Sequence, residues 1–129
     1  MKPRIALSIL CLMVLCSYSC DDEGTEADQR GVGSECSINE DCTEEGQECL
    51  DFKGGYCGVK DCTQDEECPE GSRCVAHTDG VNYCFLVCAD KPECNLNRSV
   101  ENESNCSANI TFVEAPQAEV KACVPPSGE

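Results

Sequence analysis

The sequence predicts a small disulfide-rich fold made of three tandem four-cysteine modules, each a loop plus a short β-hairpin, with little helix. Cysteine accounts for 15 of the 129 residues, a fraction typical of secreted disulfide scaffolds. Aromatic residues make up only 5% and tryptophan is absent, so covalent cross-links must compensate for a small apolar core. The third observation is a cysteine spacing that recurs three times after residue 35.

The first 19 residues have the organisation of a secretory signal peptide. Lys2 and Arg4 form a positive N-terminal region. Residues 5–15 follow as an apolar stretch that is too short to span a bilayer as a mature helix. Small residues then precede Cys20. The sequence therefore predicts export, with residues 1–19 removed.

The segment LCSYSC, followed by DDE, resembles the lipobox of bacterial lipoproteins, in which a cysteine after a small residue is lipidated and becomes the new N-terminus. Cys20, preceded by Ser19, is the candidate lipidation site. The cysteine count favours this interpretation, because 13 cysteines remain from Cys20 onward and only twelve can pair with one another. We predict a membrane anchor at Cys20, with cleavage elsewhere or an intermolecular bridge as the alternatives.

The charge distribution restricts the partners of the exported part. Residues 20–35 combine the lipidation site with a flexible acidic tether that contains glycine and few aliphatic residues. After residue 20 there are 25 acidic and seven basic residues, a net charge of -18. This charge argues against nucleic acid and anionic membrane surfaces as partners. The favoured interpretation is that this charge keeps the protein soluble. The alternative is that it binds calcium or a basic partner.

Twelve cysteines form the repeat, with a period of about 26 residues. We call the units module 1 (36–61), module 2 (62–87) and module 3 (88–124), and a tail (125–129) follows. In each module five residues separate the first two cysteines, and an acidic residue directly precedes the second. In modules 1 and 2 a glycine lies three positions before the third cysteine and a tyrosine directly precedes the fourth.

Each module is predicted to form a β-hairpin between its third and fourth cysteines, because turn residues there are flanked by strand formers. The predicted turns are Asp79-Gly80 in module 2, Lys53-Gly54 or Gly54-Gly55 in module 1, and in module 3 a loop around Pro116 that joins strands 110–114 and 120–124.

Hairpin geometry constrains the cysteine pairing. In a two-residue hairpin, directly opposed residues are an odd number of positions apart, whereas Cys74 and Cys84 are separated by an even number, as are Cys49 and Cys57. A third-to-fourth bridge is therefore disfavoured. We favour first-to-third with second-to-fourth pairing; first-to-fourth with second-to-third stays open, and the argument does not cover module 3. The favoured bridges are Cys36–Cys49, Cys42–Cys57, Cys62–Cys74, Cys68–Cys84, Cys88–Cys106 and Cys94–Cys123.

The segment ECSINEDCTEEGQECLDFKGGYCGVKDC (35–62) resembles the cysteine-rich repeats of surface lipoproteins in Gram-negative bacteria. More distantly it resembles the N-terminal cysteine-rich domain of Dickkopf proteins, which are extracellular antagonists of Wnt receptors. The resemblance implies a non-enzymatic lipoprotein of the cell envelope, presenting disulfide-stapled loops to an unknown protein or cell-surface partner. The alternative is a freely secreted Dickkopf-like ligand or antagonist.

The sequence predicts no catalytic residue, no metal site and no cofactor. Structural zinc needs close cysteine pairs, and the spacings here are mostly five residues or more. His77, the single histidine, is predicted to be an exposed hairpin residue. Asn39, Asp41 and Asp65 are candidate calcium ligands, although a solvated acidic surface is the favoured interpretation.

Two further features lie in modules 2 and 3. The apolar run 85–87 joins these modules and is predicted to pack between them, with a partner surface as the alternative. Four N-x-S/T sequons matter only if the protein is glycosylated in a eukaryotic cell. They begin at Asn97, Asn102, Asn105 and Asn109.

Overall fold

A computed structural model describes residues 31–42, 44–116 and 118–128. The described chain contains short strands and short 3-10 helices but no α-helix, which confirms the prediction of a small disulfide-rich, mostly β fold. The strands are β1 (Glu48–Leu50), β2 (Tyr56–Gly58), β3 (Ser72–Ala76), β4 (Asn82–Cys88), β5 (Asn105–Ser107), β6 (Thr111–Phe112) and β7 (Lys121–Val124). The 3-10 helices are Asn39–Asp41, Asp65–Glu67, Pro92–Asn95 and Val100–Asn102.

The protein has six disulfides among the described residues, two within each module and none between modules. In every module the first cysteine bonds to the third and the second to the fourth, which is the favoured pairing. The bridges are Cys36–Cys49, Cys42–Cys57, Cys62–Cys74, Cys68–Cys84, Cys88–Cys106 and Cys94–Cys123.

The register of the hairpins differs from the prediction. Cys74 lies directly opposite Cys84, and Cys49 lies directly opposite Cys57, so each pair points to the same face. The reason is loop length, because five residues, 77–81, separate the last paired residues of β3 and β4. The premise of a two-residue turn at Asp79-Gly80 was therefore wrong, although the cysteines still bridge back to the preceding loop.

Module 3 does not form the predicted hairpin. Strand β7 pairs with β5 and with β4. Strand β6, which falls in the predicted strand 110–114, pairs instead with β3 of module 2, with Phe112 opposite Val75. The result is a five-stranded sheet in the order β5-β7-β4-β3-β6. Pairing across the module boundary gives β6 a partner that the sequence of module 3 alone could not indicate.

The core lies between module 1 and the sheet. Tyr56 and Phe85 are fully buried, and their rings meet edge to face with centroids 5.4 Å apart. The Tyr56 hydroxyl accepts a hydrogen bond from the backbone N–H of Leu86 at 3.2 Å. Phe85 and Leu86 are buried and Val87 is half-buried. The apolar run 85–87 therefore packs in the core, but against module 1 rather than between modules 2 and 3 as predicted.

The N-terminal end of the described chain belongs to the folded body, contrary to the prediction of a tether that extends to residue 35. Val32 is buried. The N–H of Gly33 donates to the carbonyl of Cys57 at 2.9 Å, and the N–H of Cys57 donates to the carbonyl of Ser34 at 3.0 Å. The fold thus includes residues 31–35, and the remainder of the predicted tether lies outside the described residues.

The predicted tail also packs on module 1. Pro125 is buried, and the N–H of Lys53 donates to the carbonyl of Pro126 at 3.1 Å. Ser127 forms an isolated antiparallel bridge with Phe52. Residues 125–128 are therefore part of the fold rather than a separate tail.

Candidate functional site

The acidic residue before each second cysteine closes the loop that precedes it. In every module this carboxylate accepts hydrogen bonds from backbone N–H groups three or four positions earlier, as a helix cap does. The contacts are those of Asp41 with Ser37 (2.7 Å) and Ile38 (3.2 Å), of Glu67 with Thr63 (2.6 Å) and Gln64 (3.3 Å), and of Glu93 with Ala89 (2.7 Å). The repeated acidic residues thus have a structural role, which the sequence showed only as a pattern.

The candidate calcium ligands are also used by protein donors. The side-chain oxygen Oδ1 of Asn39 accepts the N–H of Cys49 at 3.0 Å. The equivalent residue of module 2, Asp65, accepts the N–H of Cys74 at 3.0 Å through Oδ1 and pairs with Arg73 at 2.8 Å through Oδ2. These oxygens hold the third cysteine of modules 1 and 2 in place.

Replacing Glu67 with glutamine is expected to destabilise the protein near neutral pH and to cost less in acid. The pKa of Glu67 is lowered from its ordinary value of 4.5, first by the N–H and then by the hydroxyl of Thr63. A carboxyl whose pKa is lowered by folding contributes stability above its unfolded pKa and loses it as the pH falls through the folded pKa. Urea unfolding near pH 6 and near pH 2 should therefore give a difference between variant and wild type that shrinks in acid.

Glu66→Gln is the matched control, because Glu66 is the exposed neighbour of Glu67. A cost of Glu67→Gln that is the same at both pH values would contradict the role of the Glu67 carboxylate as a cap.

Arg98 joins module 3 to module 1. Its side chain is buried, its guanidinium lies 5.8 Å from the centre of the Tyr56 ring, and burial lowers its pKa. The guanidinium donates to four backbone carbonyls, which together use most of its donors. The acceptors are Gly33 (3.0 Å), Gly55 (2.8 Å), Lys53 (2.9 Å) and Asn102 (2.7 Å). No signal in the sequence marked Arg98, beyond its place inside a sequon.

Glu35 forms a second contact between the same parts of the chain. Its carboxylate accepts hydrogen bonds from the hydroxyl of Ser99 at 2.8 Å and from the side-chain amide of Asn102. These donors, Ser99 first, lower the pKa of Glu35. The contact with Glu35 occupies the side-chain amide nitrogen of Asn102. This is the atom to which a glycan would be attached in the sequon that begins at Asn102. Asn97, Asn105 and Asn109 are exposed.

His77 is less exposed than predicted. Its side chain is 14% exposed, because the ring packs edge to face against Phe52 and Tyr83, with centroids 5.5 and 5.6 Å away. Its Nδ1 lies 3.1 Å from a carboxylate oxygen of Asp79. The prediction of a solvent-facing hairpin residue was wrong, since the five-residue loop turns the ring onto the aromatic core.

Asp79 and Tyr83 complete this cluster. Burial alone would raise the pKa of Asp79, but donors that include the N–H of Val81 lower it. The hydroxyl of Tyr83 donates to Asp79 at 3.0 Å. Burial, and then this contact, raise the pKa of Tyr83 to about 12. The cluster therefore contains a hydroxyl that stays protonated at neutral pH, and it ties the hairpin tip to module 1.

The cysteine sulfurs form compact groups, since in each module three Sγ atoms lie within 4.8 Å of one another. All twelve cysteines of the described residues are in disulfides. A cysteine binds a metal ion as a thiolate, which a disulfide sulfur is not, so these groups are neighbouring bridges in the oxidised protein. The two bridges of a module lie side by side, and this brings three sulfurs together although their cysteines are not close in the sequence.

An open concavity lies in module 3, where the hairpin was expected. It is a groove of about 690 Å³ with a mainly apolar lining that includes Ile110, Phe112, Pro116 and Val120. A groove of this kind can accept apolar side chains of a binding partner.

Cys20, the candidate lipidation site, lies outside the described residues, as does the predicted signal peptide. Within the described ranges no helix is long and apolar enough to cross a membrane. The six disulfides indicate an extracellular or exported protein, because such bridges persist in oxidising compartments.

Fold and side-chain contacts together define the class of this chain: a small, disulfide-rich, mostly β protein with cysteine-rich repeats. Comparison with known proteins adds no family, because no family model, no curated protein and no solved structure matches the chain. The function is therefore argued from its own residues.

Proposed function

We propose that this chain is an exported cysteine-rich lipoprotein, anchored through Cys20, that binds a protein or cell-surface partner through its stapled loops and has no catalytic role. The observation that carries the proposal is that the polar side chains brought together by the fold form hydrogen bonds with the backbone. The carboxylates before the second cysteines accept backbone N–H groups, and Arg98 donates to four backbone carbonyls. These groups stabilise loops, as a binding scaffold requires.

Disulfides suit a binding role because they fix loops before a partner arrives. A loop that is already ordered loses less conformational entropy on binding, so more of the contact energy appears as affinity. In this chain each module holds its loops with two bridges.

The charged surface favours a basic partner. Among the described residues, several of the few cations already contact a carboxylate or a carbonyl, and acidic side chains far outnumber the cations. The occupied cations are Lys60 with Glu48 (3.1 Å), Arg73 with Asp65 (2.8 Å), Lys91 with Glu103 (2.6 Å) and Lys121 with the carbonyl of Ala89 (2.7 Å). Complementary charge on a partner would raise the association rate and the specificity of binding.

The anchor is tested by Cys20→Ser in the full chain expressed with its own signal. The wild-type protein is expected in the membrane fraction, with added acyl mass on a body that begins at Cys20. The variant is expected in the soluble fraction, because it lacks the thiol that accepts the lipid. In both, twelve thiols should become alkylatable only after reduction.

Cys16→Ser is the matched control, since Cys16 lies in the segment predicted to be removed. It should remain in the membrane fraction. A wild-type product without acyl mass in the medium would overturn the anchor and favour the secreted ligand or antagonist.

A further inference from the structure

Two highly exposed aliphatic side chains lie beside the N-terminal end of the described chain. Leu96 is 73% exposed and Val100 is 85% exposed. Leu96 lines a small cavity together with Val32 and Gly33. Val100 directly follows Ser99, whose hydroxyl bonds to Glu35 at 2.8 Å. Both therefore belong to a loop that is fastened along residues 32–35.

The covalent chain restricts where this loop lies relative to an anchor at Cys20. Eleven residues, 20–30, connect the anchor to Gly31, and they span at most about 40 Å even when fully extended. The end of the body that holds residues 31–35 is thus the part closest to the anchor along the chain. Leu96 and Val100 are at that end.

We propose that Leu96 and Val100 form a membrane-facing patch that contacts the interface of a zwitterionic lipid bilayer beneath the anchored protein. The proposal rests on the proposed function, because only the lipid anchor brings this end of the body to a bilayer. Contact with the interface removes apolar surface from water. The neighbouring carboxylates Glu93 and Glu101, both exposed, select neutral over anionic headgroups.

The absence of tryptophan from the chain allows a single-site reporter. Leu96→Trp in the lipidated full chain is reconstituted into phosphatidylcholine vesicles with brominated acyl chains. We expect a blue shift and loss of its emission relative to unbrominated vesicles. Adding anionic phosphatidylglycerol should reduce that loss.

Thr78→Trp is the matched control, because Thr78 is exposed in the turn of the β3–β4 hairpin. Leu86 on β4 lines the same cavity as Leu96, and the turn lies about 20 Å along the strand from Leu86. Its emission should not change with brominated lipid. Mass spectrometry of the disulfide-bonded proteins checks that both variants fold.

Flotation of the vesicles separates the two levels of the proposal. If Leu96→Trp floats with the vesicles but its emission stays solvent-like, the patch is wrong while the anchor stands, and the two side chains are free to contact a protein partner. If the protein does not float, the anchor itself is wrong, and the patch falls with it.

Discussion

Replacement of Gly55 with alanine is expected to destabilise the protein by at least about 3 kcal/mol or to prevent formation of the native bridges of module 1. Gly55 has φ +69, in the left-handed region. A Cβ at this position would lie 2.1 Å from the carbonyl oxygen of Cys36 and 2.8 Å from the sulfur of Cys49. Backbone and bridge atoms cannot move aside as the end of a flexible side chain can. Urea unfolding and the mass of the oxidised protein measure the effect.

Gly46→Ala separates steric overlap from backbone strain. Gly46 also has a positive φ, +83, but nothing lies within 4 Å of a Cβ built there. This control should therefore lose only the left-handed penalty, about 1 kcal/mol. Equal losses for Gly46→Ala and Gly55→Ala would contradict close packing of Gly55 against the bridge Cys36–Cys49.

Arg98→Met is expected to lower the free energy of unfolding by about 3–5 kcal/mol, because it leaves buried carbonyl groups without donors. Methionine is long enough to fill part of the space, so the loss reports mainly the hydrogen bonds. Arg98→Lys should recover little of it, since an ammonium cannot match the planar geometry of the guanidinium. Urea unfolding at neutral pH gives both values.

Lys91→Met controls for the removal of a positive charge from the same module. Lys91 pairs with Glu103 at 2.6 Å and is half exposed, and such pairs contribute about 0–1 kcal/mol. If Arg98→Met cost no more than Lys91→Met, Arg98 would not hold the modules together.

Local features of the sequence predicted the local features of the fold. Cysteine content and spacing indicated a disulfide-rich β protein because covalent staples must replace a core in a chain of this composition. The acidic residue before each second cysteine recurs because each loop needs a backbone cap there. The sequence showed these residues only as a repeated pattern, and the structure identifies the cap, whose interacting groups are three or four residues apart.

The pairing of cysteines agrees with the structure although one premise was wrong. A two-residue turn would make Cys74 and Cys84 face apart. They face the same way, and each still reaches a loop cysteine on that face. Turn dipeptides such as Asp79-Gly80 indicate that a turn exists, but the loop length depends on where strand pairing ends.

Contacts between distant parts of the chain could not be predicted. Arg98 reaches Gly33 across 65 positions, and β6 pairs with a strand of another module. His77 looked exposed because its own segment is polar, yet its neighbour Phe52 comes from module 1. No spacing rule within a module contains this information, because tertiary packing decides it.

The bridges also determine how the protein responds to tension. In each module the second-to-fourth bridge provides a shortcut, so the shortest covalent path from Cys36 to Cys123 covers only about a third of the chain steps between them. A pull on the N-terminal end would break the hydrogen bonds that hold residues 33–35 to Cys57 and to residues 97–99. The bridges then limit the full extension of the body to about a third of that of an unbridged chain. Such a molecule behaves as a link with a short maximum length.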